Sequence, residues 1–292
     1  MKWTIDAAND GKMIRYYLQH VHGFSRKIIK SIIHNDGEIL VNGVPKTVRY
    51  QLQAGDELSV NFPKEQRGHY LRPEELPLVV VYEDDDVLVI EKPPGVATVP
   101  SGIHRTGTIA NAVLGHYERQ GISYTFHVVT RLDRDTSGLL LIAKHRYSHS
   151  LLVRSQKART ISRSYQAIVE GHLENKQGTI DFPIGRKDGS IIERIVREDG
   201  KHARTHYEIL KESAYHSLVN IRLETGRTHQ IRVHFAHIGH PLAGDDLYGG
   251  STEFISRQAL HCHWLKFEHP LSKETLEFRL PPADDMEALL KN

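Results

Sequence analysis

Two carboxylates lie close together in the stretch from Arg131 to Leu141, and a side chain of this type can act as a nucleophile or a general base. Asp133 and Asp135 fall in a polar turn between a predicted strand over 126–129 and an apolar run over 139–143. A carboxylate held rigidly at the end of a strand suits either role. The same residues could instead organise the turn through side-chain hydrogen bonds. The residues alone leave both interpretations open.

Two later stretches hold side chains that could work with such a carboxylate. Tyr165 lies in the apolar segment 163–171, where a tyrosine is most often part of the core. Arg232 lies in segment 225–234, where a single arginine would ordinarily contact the surface or a phosphate group. From the residues alone, neither side chain can be assigned to chemistry.

Taken in order, these stretches resemble the signature of RluA-type RNA pseudouridine synthases. In that family the aspartate of an Arg-Leu-Asp triplet, followed by Asp-Thr-Ser-Gly and an apolar strand, is the catalytic residue, and it corresponds to Asp133. The resemblance implies that Tyr165 lies against the target base and that Arg232 forms an ion pair with the catalytic carboxylate. It places Asp135 at a variable position, so we assign Asp135 to the structure of the turn.

Further segments match the same family in the same order, and the resemblance covers nearly the whole chain. Residues 239–249 continue the match that begins at 225, and residues 91–95 form a Pro-Gly turn after a predicted strand. Segment 200–205 resembles a loop with which this family grips RNA. Three arginines of this part are expected to contact RNA: Arg131, Arg204 and Arg227.

Three residues depart from the family's pattern. Thr130 stands where a histidine or asparagine is usual, Glu91 where an asparagine is usual, and Arg163 where a lysine is usual. We expect these differences to affect the choice of uridine more than the reaction.

The N-terminal residues predict a small αβ unit. Apolar residues recur at helical spacing over 13–21, and a second helix should begin at the N-cap Ser25. Residues 38–44 predict a hairpin with an Asn-Gly turn, and residues 55–60 predict a turn followed by a strand. The second helix should turn four isoleucines inward: Ile28, Ile29, Ile32 and Ile33.

This unit resembles the S4 module, a small RNA-binding fold. The resemblance rests on Ser-Arg-Lys from Ser25, Val-Asn-Gly from Val41 and Gly-Asp from Gly55. It implies that the basic helix face and the hairpin hold structured RNA. Residues 1–64 also contain nine basic and six acidic side chains, an excess that suits a phosphate-facing patch. The basic residues expected to contact RNA here are Arg26, Lys27, Lys30 and Arg49.

We therefore predict an α+β protein with an S4 RNA-binding domain over 1–62, a linker over 63–77 and a pseudouridine synthase catalytic domain over 78–292. The catalytic domain should contain a mixed, largely antiparallel sheet. Its predicted strands are 79–82, 87–90, 139–143, 165–170, 217–223 and 275–280.

Composition excludes several classes of protein. The single cysteine, Cys262, excludes an internal disulfide framework and a zinc site of several cysteines, and it fits a reducing compartment. No apolar run approaches the roughly 20 residues that span a bilayer, and the N-terminal segment has no apolar core like that of a signal peptide. We expect a cytoplasmic protein that does not enter a membrane.

Histidines near the C-terminal end do not have the spacing of a metal site. Those at 234, 237 and 240 would not share one helix face, and no acidic residue lies among them. We expect no bound metal, and we expect solvated or RNA-facing histidines. They are His229, His234, His237, His240, His261 and His263.

Pseudouridine formation breaks the N1–C1′ bond of uridine, turns the base and rejoins it through C5. It requires no redox cofactor, and an ionised carboxylate suits it, whether that group attacks the sugar or removes a sugar proton. We expect Tyr165 to stack on the base and to accept the proton from C5. The expected partner is structured RNA, with large-subunit ribosomal RNA favoured over tRNA, and the expected state is a monomer.

Two other functions compete with this interpretation. An S4-type RNA-binding protein that had lost activity should lack Asp133, Tyr165 or Arg232, and all three are present. A hydrolase that used Asp133 and Asp135 as a carboxylate pair would gain nothing from an S4 module. Because these two residues lie two positions apart in a turn, their sequence spacing also does not predict the distance between their carboxyl groups.

Overall fold

The computed structural model describes residues 1–65, 71–102 and 105–290. Its N-terminal part contains a four-stranded antiparallel sheet in the order β1-β4-β2-β3. The strands are β1 (Lys2–Thr4), β2 (Glu38–Val41), β3 (Val44–Pro45) and β4 (Glu57–Asn61).

Two helical segments cover this sheet. Helix α1 (Ile14–Tyr16) continues as a π-helical turn over Tyr17–Val21, and α2 spans Arg26–His34. Ser25 caps α2 as predicted, because its Oγ accepts a hydrogen bond of 3.2 Å from the amide of Ile28. Three of the four isoleucines of α2 are buried, but Ile33, in the last turn, is 47% exposed, so its predicted inward position is wrong.

The predicted hairpin and the predicted turn before β4 are joined by one side chain. Asn42 and Gly43 both have positive φ, as a two-residue hairpin turn requires. The Asn42 amide donates to Asp56 Oδ1 over 2.8 Å, and its own oxygen accepts from the amide of Glu57 over 2.9 Å. The Val-Asn-Gly and Gly-Asp motifs are therefore two halves of one hydrogen-bonded corner.

The larger part of the chain forms a mixed sheet in the order β10-β13-β14-β9-β15-β8-β6-β5, in which only the β15–β8 pair is parallel among the described residues. Its path comprises β5 (Val79–Glu83), β6 (Val87–Lys92), β8 (Ser137–Ala143), β9 (Ser162–Glu170), β10 (Gln177–Asp181), β13 (Arg204–Glu212), β14 (His216–Leu223) and β15 (Leu260–Glu268). The predicted α+β class with a largely antiparallel sheet is confirmed.

Shorter elements complete this part. Strand β7 (His127–Val128) pairs with β8, β16 (Thr275–Arg279) pairs with β15, and β11 (Ile184–Arg186) forms a separate hairpin with β12 (Arg194–Val196). The helices are α3 (Ile109–Arg119), α4 (Arg146–Lys157), α5 (Gln230–His237) and α6 (Asp284–Leu289). Within the part of the chain that the structure describes, no helix combines the length and apolar character needed to span a bilayer.

The N-terminal unit packs directly on the rest of the protein through α4. The Tyr147 ring lies 4.3 Å from that of Phe24, centre to centre, and its hydroxyl donates to the carbonyl of His22 over 2.6 Å. Tyr147 is therefore part of the apolar core of the N-terminal unit.

The segment predicted as a linker has no helix or strand at 63–65 or 71–77, and its residues 66–70 lie outside the described part. The Glu65 side chain nevertheless binds this segment to the larger part of the protein. Glu65 contacts His127 Nε2 over 2.6 Å and accepts from the amide of Arg146 over 2.9 Å. The domain boundaries at 62 and 77 stay predictions.

At the start of β8, next to the polar turn of residues 129–136, the backbone lies very close to that of β15. Gly138 lies opposite Cys262 of β15 and has a φ of 111°, which side-chain-bearing residues rarely adopt. A Cβ at this position would lie 2.3 Å from the Cys262 carbonyl oxygen. Only glycine allows the two strands to pair here.

We expect Gly138→Ala to lower the free energy of unfolding by ~3 kcal/mol, because backbone strain and a clash with β15 add. Gly121→Ala is the matched control, since Gly121 also has positive φ but would place its Cβ in open space. We expect ~1 kcal/mol for that variant. Urea unfolding measures both values, and equal losses would contradict the close strand approach.

Candidate active site

The three predicted catalytic residues line one open cavity of about 590 Å³. Asp133 comes from the loop between β7 and β8, Tyr165 from β9, and Arg232 from α5. The Asp133 side chain is 31% exposed, so a ligand in the cavity can reach it. The sequence placed these residues in separate segments, and the fold brings them together.

The backbone on both sides of Asp133 is pinned by buried donors. Thr98 Oγ1 donates to the carbonyl of Leu132 over 2.9 Å, and Lys92 Nζ donates to the carbonyl of Arg134 over 2.7 Å. The amide of Thr136 closes the turn by donating to the carbonyl of Asp133 over 3.2 Å. These bonds fix the backbone from which the Asp133 side chain extends.

Lys92 supports the backbone of the site, whereas its sequence context predicts only a Pro-Gly turn. Its ammonium group is fully buried and also donates to the carbonyls of Pro93 and Val96, each over 2.7 Å. Three carbonyl acceptors match the three N–H groups of an ammonium. Burial lowers the pKa of Lys92 to about 7, and the nearby carboxylates of Asp135 and Asp133 oppose this shift.

Arg232 faces Asp133, but another residue is its main partner. Its Nη1 lies 3.6 Å from Asp133 Oδ2, which is an ion-pair distance but too long for a hydrogen bond. Its Nε and Nη2 donate to the two oxygens of Asp245 over 2.6 and 2.7 Å. Asp245 is fully buried, and it aims the guanidinium so that Nη1 points at Asp133.

Tyr165 lies at the inner wall of the cavity, on a strand that pairs with β14 and β15. Its hydroxyl accepts a hydrogen bond of 3.0 Å from Arg163 Nη1. Burial raises the pKa of Tyr165 well above its usual range, so the phenol is neutral at physiological pH. The unusual Arg163 thus has a position directly beside the candidate catalytic tyrosine.

His229, which was expected to be solvated or RNA-facing, lies in the cavity beside Asp133. Its Nε2 is 3.9 Å from Asp133 Oδ2, and its Nδ1 is 2.8 Å from the hydroxyl of Tyr248. Its side chain is 11% exposed. Burial lowers the pKa of His229, because desolvation disfavours the imidazolium.

The expectation of a solvated or RNA-facing position is wrong for His234 and His261, because both are buried with protein partners. His234 contacts Thr205 Oγ1 and the carbonyl of Phe182, each over 2.9 Å, and His261 contacts Ser137 Oγ over 2.9 Å. They hold α5 and β15 in place and have no surface for RNA.

Six of the seven predicted RNA-binding residues are exposed, and Arg204 is the exception. Arg131 and Arg227 are exposed at the cavity, and four residues are exposed on the N-terminal unit: Arg26, Lys27, Lys30 and Arg49. Arg204 differs, since it contacts Asp181 over 2.6 Å and Glu224 over 3.5 Å. Its charge is already neutralised, which weakens its assignment as a phosphate ligand.

One group of side chains outside the cavity has the composition of a metal site, namely Asp84, Asp86 and His269. His269 Nδ1 accepts a hydrogen bond from the amide of Ser272 over 2.9 Å. The proton of a neutral His269 ring therefore lies on Nε2, the atom that faces the two carboxylates. This tautomer suits a donor to Asp84 and does not suit a metal ligand.

Solved structures share this fold. The human protein RNA Pseudouridylate Synthase Domain Containing 1 superposes with a TM-score of 0.60 at 25% identity, covering 77% of this chain and 90% of that one. The human protein RNA Pseudouridylate Synthase Domain Containing 4 gives the same TM-score at 20% identity, covering 73% and 92%. The sheet with its loop carboxylate is thus the pseudouridine synthase fold.

Sequence comparisons agree. Residues 86–237 match the family described as RNA pseudouridylate synthase. The uncharacterized RNA pseudouridine synthase YjbO of Bacillus subtilis is 48% identical over 92% of this chain and 95% of its own length. Ribosomal large subunit pseudouridine synthase D of Vibrio cholerae is 41% identical over 90% of this chain and 85% of its own. The chain belongs to this family and is an RNA pseudouridine synthase.

We expect Asp245→Asn to lower the free energy of unfolding by about 3–5 kcal/mol, because it leaves the Arg232 charge buried without its partner. Asp181→Asn is the matched control, since Asp181 also accepts from the Nε and Nη2 groups of one arginine, Arg204, over 2.9 and 2.6 Å, but the two side chains are 40% and 38% exposed. We expect a much smaller loss there, as for an exposed ion pair. Urea unfolding measures both, and similar losses would mean that burial does not set the strength of the pair.

Proposed function

We propose that this enzyme converts specific uridines of large-subunit ribosomal RNA to pseudouridine, with Asp133 as the nucleophilic carboxylate. The observation that supports this most strongly is the convergence of Asp133, Tyr165 and Arg232 on one cavity. The proposal for the RNA rests on relatives that are named ribosomal large subunit pseudouridine synthase D. A tRNA substrate is the alternative.

Asp133 is suited to the cleavage of the glycosidic bond. Its carboxylate is reachable from the cavity, its flanking carbonyls are fixed, and the Arg232 guanidinium lies 3.6 Å from it. An ionised carboxylate on a fixed backbone can attack C1′ or remove a sugar proton. The base remains in the site, turns and rejoins through C5, so the reaction requires no redox cofactor.

Tyr165 is proposed to hold the uracil ring while it turns. A neutral phenol on a buried strand offers a flat apolar face for stacking and a hydroxyl that is oriented by Arg163. The raised pKa disfavours a phenolate. Stacking is therefore the better supported role, and the expected transfer of the C5 proton to Tyr165 is not favoured by its surroundings.

The target uridine must leave its stack to reach this cavity, and contacts to neighbouring phosphates offset the cost of unstacking. Arg131 and Arg227 are exposed at the cavity and are the proposed phosphate contacts.

We also propose that residues 1–62 are an S4 RNA-binding domain. On α2, the buried Ile28, Ile29 and Ile32 leave Arg26, Lys27 and Lys30 on the solvent side. The corner built by Asn42 and Asp56 fixes the hairpin that would lie beside this basic face. We further propose that the enzyme acts as a monomer in the cytoplasm, where ribosomal RNA is available.

The catalytic proposal is tested by release of tritium from C5-labelled uridine in unmodified ribosomal RNA and in unmodified tRNA. We expect Asp133→Asn to abolish release, because an amide cannot attack or deprotonate the sugar. Asp135→Asn is the control from the same turn, where that side chain pairs with Arg134. We expect it to retain activity within about threefold, as for an exposed ion pair. Release by Asp133→Asn at the wild-type rate would refute the nucleophile, and release from tRNA alone would refute the ribosomal substrate.

The S4 proposal predicts weaker RNA binding when Arg26, Lys27 and Lys30 are all changed to Gln. The slope of log K against log salt concentration should fall by up to about 0.7–0.9 for each lost phosphate contact. A control variant removes the same charge from exposed lysines elsewhere: Lys176, Lys211 and Lys273. Filter binding over a salt series measures both, and equal slopes in the two variants would contradict a basic RNA-binding face on α2.

A further inference from the structure

His229 occupies a backbone conformation that positions its ring against the candidate nucleophile. Its φ is 57° and its ψ is 21°, a left-handed conformation that is uncommon for a residue with a side chain. Such conformations persist where the surroundings enforce them, and they occur often at functional sites. His229 is the residue immediately before α5, three positions from Arg232.

The Gln230 side chain holds this turn in place. Its oxygen accepts from the amide of Arg227 over 3.0 Å and from Thr225 Oγ1 over 2.8 Å. Its amide group donates to the carbonyl of Arg204 and to Thr205 Oγ1, each over 3.0 Å. A buried amide with four partners fixes the backbone that leads into His229.

The hydrogen-bond pattern also determines which nitrogen of His229 holds the proton. The amide of Arg194 donates to the Tyr248 hydroxyl oxygen over 3.0 Å, and that hydroxyl lies 2.8 Å from His229 Nδ1. The Tyr248 hydroxyl has one hydrogen to donate, and among the described residues His229 Nδ1 is the acceptor within reach of it. With Nδ1 as acceptor, the proton of a neutral ring lies on Nε2. Nε2–H is then a donor directed at the Asp133 side of the cavity.

A gap remains between this donor and the carboxylate. His229 Nε2 lies 3.9 Å from Asp133 Oδ2, beyond the limit of a hydrogen bond. An oxygen that lay within about 3 Å of both atoms would meet a donor on one side and an acceptor on the other. Such an oxygen must both accept and donate, as a hydroxyl does and as an ether or carbonyl oxygen does not.

We propose that His229 Nε2–H donates a hydrogen bond to the 2′-hydroxyl of the target ribose, which in turn donates to Asp133. The proposal rests on the proposed role of Asp133 at the sugar, because the 2′-hydroxyl is the hydroxyl group next to C1′. His229 thereby orients the ribose against the carboxylate and selects RNA over DNA, since the 2′-hydroxyl distinguishes the two. Tyr248 is a positioning residue that fixes the tautomer of His229.

The test is a two-by-two comparison of His229→Ala with wild type on RNA that has uridine or 2′-deoxyuridine at the target position. The position is the one that loses its pseudouridine in the Asp133→Asn variant. Single-turnover rates are measured with enzyme in excess. We expect His229→Ala to slow reaction of uridine RNA by about 10- to 100-fold, the effect of one lost hydrogen bond in a closed site. We expect 2′-deoxyuridine to slow the wild-type enzyme but to change the rate of His229→Ala by less than about twofold, because the partner of the hydroxyl is already absent.

Three further variants separate this role from general damage. His229→Gln keeps an N–H donor and should recover part of the rate and of the penalty for 2′-deoxyuridine. Tyr248→Phe should reduce the rate less than His229→Ala and should add nothing in the double variant. His172→Ala, an exposed histidine that contacts only the carbonyl of Ser213 among the described residues, should match wild type. Circular dichroism and thermal unfolding verify that each variant is folded.

If 2′-deoxyuridine slows wild type and His229→Ala by the same factor, the proposal is wrong, because the effects of the hydroxyl and of His229 would then be independent and would multiply. If wild type does not convert the 2′-deoxyuridine RNA at all, the affinities for the uridine and 2′-deoxyuridine RNAs are compared instead, in the Asp133→Asn background. The proposal is then wrong if 2′-deoxyuridine lowers the affinity equally with and without His229. Failure of the proposed nucleophile has a different signature, namely Asp133→Asn that remains active on the uridine RNA.

Discussion

The site depends on a buried ammonium beneath the loop that presents Asp133. Lys92 Nζ binds three carbonyl oxygens at 2.7 Å, and one of them belongs to Arg134, the residue after Asp133. A buried amino group of this kind is stable only if its N–H donors are satisfied. The loop must therefore adopt the conformation that supplies this carbonyl, and that conformation also turns the Asp133 carboxylate toward the cavity. Thr98 applies the same constraint on the other side, at Leu132.

The arrangement of strands explains why residues distant in sequence meet at this loop. Strand β15 lies between β8 and β9, so it separates the strand that follows Asp133 from the strand that holds Tyr165. The parallel contact of β15 with β8 is short, and Gly138 permits it because no side chain stands between the two backbones. Both candidate residues then face one cavity, which α5 closes with Arg232.

Local sequence predicted the turns and caps of the fold, whereas the family resemblance, and not the residues alone, assigned Asp133, Tyr165 and Arg232 to one site. The turn around Asp133, the cap at Ser25 and the hairpin at Asn42 are local features whose residue types determine them. Asp245 could not be assigned, because its role follows from a bidentate contact with an arginine on another element. Strands β13 and β15 were not predicted, since their many charged and histidine side chains hide the apolar alternation that marks a strand.

The electrostatic surroundings of Asp133 differ from those of Tyr165. Arg232 and His229 both approach the same oxygen of Asp133, one as a cation at 3.6 Å and the other as a ring at 3.9 Å whose imidazolium form is disfavoured by burial. On the base side, Tyr165 remains a neutral phenol. A uracil that detaches and turns within the site thus meets no second carboxylate or phenolate among these residues that could compete with Asp133 for the sugar. The Arg163 guanidinium contacts Tyr165 at its hydroxyl. Under the proposed mechanism, stacking on the Tyr165 ring would hold the base, and stacking permits rotation in a way that directional ion pairs would not.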